Sequence, residues 1–172
     1  MSRHNKSIPR AILAALLTMM FSIACFADFK QGDTLPDLAS FKLEGKLPEN
    51  LKGQVILLDF WASWCGPCKE SFGAMEELSK KYKSQGLTIV AVSVDKKKEN
   101  MDQFLKSARV SFSVLRDARQ KLVAAADVKA MPTSFLIDRS GKIRFIHVGF
   151  HRDETPRQYV KEIEKLLAEP TP

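Results

Sequence analysis

The passage from Val55 to Cys68 constrains this chain most, because the apolar run VILLDFWA leads almost directly into Trp64-Cys65-Gly66-Pro67-Cys68. An apolar stretch broken only by Asp59 is too continuous for a strand with one wet face, and fits a central strand buried on both. A helix is predicted from about Pro67 to Ser84, where Phe72, Met75, Leu78 and Tyr82 recur at helical spacing and Gln85-Gly86 ends the run. The two cysteines therefore stand at a strand-to-helix junction, the first at the helix tip and the second one turn in. A thiol at a helix tip faces unpaired backbone N–H groups and the positive end of the helix dipole, which favours its thiolate. Cys65 is expected to be the attacking sulfur. Cys68, deeper in the helix, is expected to resolve a mixed disulfide formed on Cys65.

The remaining chain alternates strands and helices. Leu87 to Val94 reads as a second strand rich in β-branched residues. Asn100 and Gln103 suggest a capping box for a helix carrying Met101, Phe104, Leu105 and Ala108. Phe112 to Leu115 reads as a short strand, Arg119 to Ala126 as a helix, and Ser134 to Ile137 with Lys142 to Val148 as a hairpin closed by Asp138-Arg139-Ser140-Gly141. A last helix is predicted to start at Thr155-Pro156, with Val160, Ile163, Leu166 and Leu167 as its buried stripe. From Asp28 to Gln54, glycines and prolines punctuate short apolar pieces, which predicts short strands and turns packed on the domain. This order implies an α/β fold with a mixed sheet covered on both faces, and places Cys65 at the carboxyl end of a central strand, where such sheets carry their sites.

The first residues have the layout of a secretory signal: Arg3, Lys6 and Arg10 precede an apolar run from Ala11 to Ala27. Three fates fit residues 1–27: cleavage after Ala27, retention as a membrane anchor, or lipid attachment at Cys25. Residues 28–172 then form one domain of ordinary size. Loss of the three basic residues lowers the formal charge from +7 to +4, and Lys96, Lys97 and Lys98 form the only tight basic run. Nothing interleaves basic and aromatic residues, so a nucleic-acid partner is not expected. Two cysteines remaining in one motif suggest redox chemistry, since a bridge closing so small a loop constrains the unfolded chain little. The competing reading is a zinc site, since His147 and His151 stand four apart. About eighty residues separate them from the cysteines, where compact zinc modules use about a dozen, and no metal is expected.

LLDFWASWCGPCKE resembles the active-site region of thioredoxins, and Met131-Pro132-Thr133 ahead of a strand resembles the cis-proline loop of that superfamily. With the export signal, the extension and a helical insert around residues 99–127, the chain is similar to the TlpA-like branch, whose members include reductants used in cytochrome c maturation. The resemblance implies a thioredoxin-like fold and a thiol-disulfide oxidoreductase, a protein-disulfide reductase in which Cys65 is the nucleophile and Cys68 the resolving thiol. It implies a cis Pro132 that keeps the backbone of Met131 open to an extended partner segment, with Trp64, Gly66 and Pro67 beside it. Asp59, six residues before Cys65, matches a buried aspartate that helps move the proton of the resolving cysteine. Burial should raise its pKa; the alternative is a carboxylate satisfied by backbone donors. Where thioredoxins often set a lysine on the next strand this chain has Ala91, and where some maturation reductants use a glutamate after that strand it has Asp95-Lys96. Trp61 and Trp64 either shape the partner groove or fill the core.

The resemblance implies no cofactor beyond the Cys65–Cys68 disulfide, protein substrates, a periplasmic or other extracytoplasmic location, and a membrane electron donor to recharge a reductant there. Two further functions compete. Peroxide reduction by a peroxiredoxin-type enzyme needs a Pro-x-x-x-Thr-x-x-Cys context that is absent ahead of Cys65. A binding or chaperone module would hold the pair permanently oxidised or metal-bound.

Overall fold

The computed structural model describes residues 28–170, so the signal, anchor and Cys25 lipid readings of residues 1–27 lie outside the described residues. Five strands form one sheet: β1 (Val55–Trp61), β2 (Leu87–Ser93), β3 (Ser113–Arg116), β4 (Thr133–Ile137) and β5 (Ile143–Val148), in the order β3-β2-β1-β4-β5. The first three are parallel, whereas β4 runs antiparallel to β1 and β5 antiparallel to β4. β1 is central, and every one of its residues is buried, as its continuous apolar sequence demands.

Four helices complete the domain: α1 (Gly66–Tyr82), α2 (Lys98–Ala108), α3 (Lys121–Ala125) and α4 (Thr155–Ala168). On α1 the buried residues include Cys68, Phe72, Met75, Leu78 and Tyr82, the predicted stripe. The helix passes into a 3-10 turn, Lys83–Gln85, that ends on Gly86 at φ 103. A Cβ at Gly86 would lie 2.8 Å from the guanidinium of Arg139. That guanidinium crosses from the β4–β5 turn to hold the carbonyls of Gly53 at 3.0 Å and Gln85 at 3.1 Å. Glycine is favoured here by the left-handed backbone, and a side chain would in addition displace the Arg139 guanidinium.

Along β1 the side chains of Asp59 and Trp61 fall on one face. Trp61 packs against Phe72 of α1 at 4.6 Å and Phe104 of α2 at 5.2 Å between ring centroids. Phe60 falls on the other face, where it meets Phe135, which in turn packs on Phe29 of the amino-terminal extension. The face that carries Asp59 is therefore the face covered by the cysteine-bearing helix.

Three details depart from the sequence expectation. The α2 capping box does not form: the N-cap is Lys97, three residues before Asn100, and Lys97 makes no side-chain bond. Glu99 in the first turn, favourable against the helix dipole, and the Lys98–Asp102 ion pair at 2.6 Å support the earlier start. The α4 start also shifts, with Glu154 as N-cap, and its stripe buries Tyr159 with Ile163 and Leu166, leaving Val160 and Leu167 part-exposed. Finally, the short strands expected between Asp28 and Gln54 appear as two isolated bridges, Thr34 with Lys142 and Glu44 with Arg116, and a 3-10 turn at Leu38–Phe41. These bridges lie against the two edge strands and partly cover them.

Candidate active site

Cys65 is the N-cap of α1, in an extended conformation (φ −86, ψ 110), and its sulfur accepts a hydrogen bond from the backbone N–H of Cys68 at 3.2 Å. The sulfur occupies the place of a capping oxygen, where it meets an otherwise unpaired helix donor. Gly66 and Pro67 take the first two helical positions. Proline suits them because it brings no N–H to leave unpaired. The two sulfurs form a disulfide, with Cα atoms 5.3 Å apart. Cys65 is 6% exposed and Cys68 is fully buried, so an incoming group reaches Cys65 first.

The two tryptophans separate into different roles. Trp61 is fully buried core, whereas Trp64, immediately before Cys65, is 70% exposed. An apolar side chain left this open beside a reactive sulfur is an available contact surface.

The Met131–Pro132 bond is cis. Because Phe60 pairs with Thr133 across β1 and β4, the preceding residues of the loop lie alongside the carboxyl end of β1, the end from which Cys65 emerges. Pro132 is buried, and its carbonyl accepts from the N–H of Gly149 at 2.7 Å. Met131 is part-exposed, and its backbone makes no hydrogen bond among the described residues.

Asp59 is fully buried, with Ala91 of β2 on one side and Ser134 of β4 on the other. The Ser134 hydroxyl donates to its Oδ1 at 2.5 Å and lies 2.7 Å from the hydroxyl of Tyr159 on α4. Oδ2 has no partner among the described residues. The expected alternative of a carboxylate satisfied by backbone donors is not what is found. Burial pushes the Asp59 pKa up from 3.8 to about 7, with the Ser134 hydrogen bond opposing part of that rise. Burial, and then the nearby Asp59 charge, also raises the pKa of Tyr159.

Sequence reasoning did not single out Ser134 or Tyr159. A signal existed, since Ser134 is polar within the buried strand TSFLI. Knowing that it faces Asp59 required the β1–β4 register.

Asp95 sits just beyond β2 and is 1% exposed. It accepts from the N–H of Ser63 at 2.9 Å, the hydroxyl of Ser63 at 2.8 Å and the hydroxyl of Ser93 at 2.9 Å. It thereby ties the loop before Cys65 to the end of β2. Asp95→Ala leaves three donors without their acceptor and is expected to destabilise the protein by about 1–3 kcal/mol in urea unfolding.

The histidines do not join the cysteines. The His147 ring on β5 bonds Glu162 of α4 at 2.6 Å, and the backbone N–H of His151 donates to Thr155 Oγ1 at 2.9 Å. Among the described residues no group of three or more His, Cys, Asp and Glu could hold a metal ion, and no helix is long and apolar enough to cross a membrane.

Comparison with known proteins agrees with this geometry. The family described as Redoxin matches residues 30–167. The thiol-disulfide oxidoreductase ResA of Bacillus subtilis (strain 168) is 36% identical over 136 residues, 78% of this chain and 76% of that protein. ResA of Geobacillus thermodenitrificans (strain NG80-2) is 30% identical over 173 residues, 95% of this chain and 99% of that protein. Among solved structures, a Chlorobium tepidum protein described as a candidate thiol:disulfide interchange protein DsbE superposes with a TM-score of 0.75. It is 40% identical and the match covers 81% of this chain and 99% of that one.

Proposed function

The chain belongs to the Redoxin family, and from that premise and the placement of its cysteines we propose that it is an exported reductase of protein disulfides. That it is a thiol-disulfide oxidoreductase follows from its named relatives and the paired cysteines. The observation that carries the exchange chemistry is the asymmetry of the pair, in which Cys65 caps the helix and is the more accessible sulfur while Cys68 is sealed behind it; the reducing direction rests on the Gly66-Pro67 dipeptide between them.

In the proposed cycle the Cys65 thiolate attacks a substrate disulfide. One substrate sulfur leaves as a thiolate, and a mixed disulfide forms on Cys65. Cys68 then loses its proton and attacks the Cys65 sulfur, which releases the second substrate sulfur and closes the Cys65–Cys68 bond. Two electrons and two protons pass from the pair to the substrate. Asp59 is the proposed acceptor of the Cys68 proton, and a carboxyl with a pKa of about 7 is matched to that task near neutrality.

The substrate segment is proposed to lie extended against Met131, whose backbone groups are open, with Trp64, Gly66, Pro67 and Pro132 forming the rest of the contact. The redox-active group is the Cys65–Cys68 disulfide itself, with no further cofactor. The apolar run Ala11 to Ala27 behind a basic head supports export to the periplasm or another extracytoplasmic space, with cleavage, anchoring or lipidation at Cys25 as its fate. In that oxidising setting a membrane electron donor must recharge the pair, and cytochrome c maturation is the proposed process it serves.

The reduction potential tests the direction. Gly66-Pro67 is the dipeptide of thioredoxins, at about −270 mV, against about −120 mV for a dedicated oxidant. Equilibration with dithiothreitol buffers is expected to place Cys65–Cys68 near the reducing end of that range. A value near the oxidant end would overturn the reductase reading.

A further inference from the structure

The cross-sheet row through Asp59 contains more polar groups than the transfer of one proton between Cys68 and Asp59 requires. Reading across β2, β1, β4 and β5, the register aligns Ala91, Asp59, Ser134 and His147. Helix α4 lays Tyr159 over this row, with the His147 ring edge-on to it at 5.0 Å and Glu162 bonded to His147. The titratable groups around this row are Tyr159 and Glu162 from α4 and His147 from β5, and β2 presents only Ala91; α1, which covers the same face of β1, carries Cys68 on its buried side.

With Asp59 ionised, proton counting fixes the direction of the hydrogen bonds. Ser134 has one hydroxyl proton, and it lies on Asp59 Oδ1 at 2.5 Å. The 2.7 Å contact between Ser134 and Tyr159 must then be made by the Tyr159 proton. The chain runs Tyr159 O–H to Ser134 Oγ, and Ser134 O–H to Asp59 Oδ1. All three groups are buried, Tyr159 fully and Ser134 at 1% exposure. One carboxyl oxygen is consequently held by a donor that is itself polarised by a second donor. The other, Oδ2, is unpartnered among the described residues and keeps its lone pairs.

We infer that Ser134 and Tyr159 are positioning residues for the proton step: together they occupy Asp59 Oδ1, fix the carboxyl rotamer, and reserve Oδ2 as the oxygen that receives the proton of Cys68. The inference rests on the reading of Asp59 as that acceptor. The step balances simply, with the sulfur–hydrogen bond of Cys68 breaking and an oxygen–hydrogen bond forming at Oδ2 as the Cys68 thiolate attacks Cys65. A proton on Oδ2 leaves the Ser134 bond in place, because the neutral carboxyl still presents Oδ1 as an acceptor. The pair therefore serves both protonation states without rearranging, and its donor favours the ionised one. Removing the donor should make Asp59 harder to ionise.

The test uses the reduced full chain and its variants Ser134→Ala, Ser134→Thr, Tyr159→Phe and Asp59→Asn. Two quantities are read: the Asp59 carboxyl titration by carbon-13 NMR, and the pH dependence of insulin disulfide reduction. Loss of a hydrogen bond to a charged group corresponds to about one pH unit or more. Ser134→Ala is expected to move the Asp59 midpoint up by about that amount and to carry the acidic limb of the rate profile with it, about tenfold in rate below the midpoint. Ser134→Thr restores both, and Tyr159→Phe shifts both in the same direction by less. Loss of packing alone would lower activity without moving the midpoint.

An Asp59 midpoint unchanged in both Ser134→Ala and Tyr159→Phe overturns the inference. If Asp59→Asn nonetheless abolishes the acidic limb, the reading of Asp59 itself survives. If Asp59→Asn keeps the parent's limb, that reading fails and this inference falls with it. Should Ser134→Ala not fold, Tyr159→Phe decides alone, and an Asp59 midpoint equal to the parent's in that variant overturns the inference.

Discussion

Cys65→Ser is expected to reduce insulin no faster than the uncatalysed background, because the sulfur placed at the helix tip to attack has gone. Its partner variant fails differently. Cys68→Ala keeps the attacking sulfur at the helix tip, so the first exchange proceeds and the protein then stalls as a mixed disulfide. The contrast follows from position: Cys65 caps α1 and receives the Cys68 amide, while Cys68 is wholly buried. If the two sulfurs were interchangeable, the two variants would behave alike. Full activity in Cys65→Ser would remove the chemistry from this pair altogether.

The second large effect is one of stability, and its sign is opposite to that of an ordinary paired carboxylate. Asp59 ionises near pH 7 in the folded protein and near 3.8 when unfolded. A group whose folded pKa is raised contributes stability that is fully present below the unfolded value and lost as pH rises towards the folded one. The parent is therefore penalised by Asp59 progressively between about pH 4 and pH 7, and by a constant amount above that. Asp59→Asn does not titrate. The difference in unfolding free energy between variant and parent should move in the variant's favour by on the order of 4 kcal/mol from pH 4 to pH 8. Urea unfolding of the oxidised forms across that range measures it. Carboxylates held low by hydrogen bonds, such as Asp138 with Ser140 and Arg144, are common to both proteins and cancel. A difference that stays flat with pH would mean that the fold does not hold Asp59 neutral.

Much of the fold was legible because local pattern and tertiary role coincide. The run VILLDFWA reads as a doubly buried strand and is one, and the spacing of Phe72, Met75, Leu78 and Tyr82 marks the face of α1 that packs on the sheet. The hairpin of β4 and β5 follows from Asp138-Arg139-Ser140-Gly141, where the Asp138 carboxylate gathers the Ser140 and Lys142 amides. The misreadings concern competition between local signals. Asn100 and Gln103 look like a cap, but α2 is already under way when the chain reaches them.

The site divides in the same manner. Cys65, Cys68 and the cis bond before Pro132 are local, each lying within a few residues of contiguous sequence. The hydroxyls around Asp59 are not, since Ser134 stands 75 residues away and Tyr159 a further 25. Nothing along the chain joins them to Asp59; strand register and the seating of α4 do. Asp95 holding Ser63 across 32 residues is a third case. Trp61 and Trp64, alike in sequence context, fall to core and surface through the alternation of β1 and the turn that follows it.

The most direct measurement is peptide mapping of the covalent complex formed when reduced Cys68→Ala is mixed with insulin under conditions that block free thiols after exchange. One mixed disulfide is expected, joining Cys65 to an insulin cysteine, and no such complex from Cys65→Ser. An insulin adduct on Cys68 in the Cys65→Ser variant, with none on Cys65 in Cys68→Ala, would contradict it.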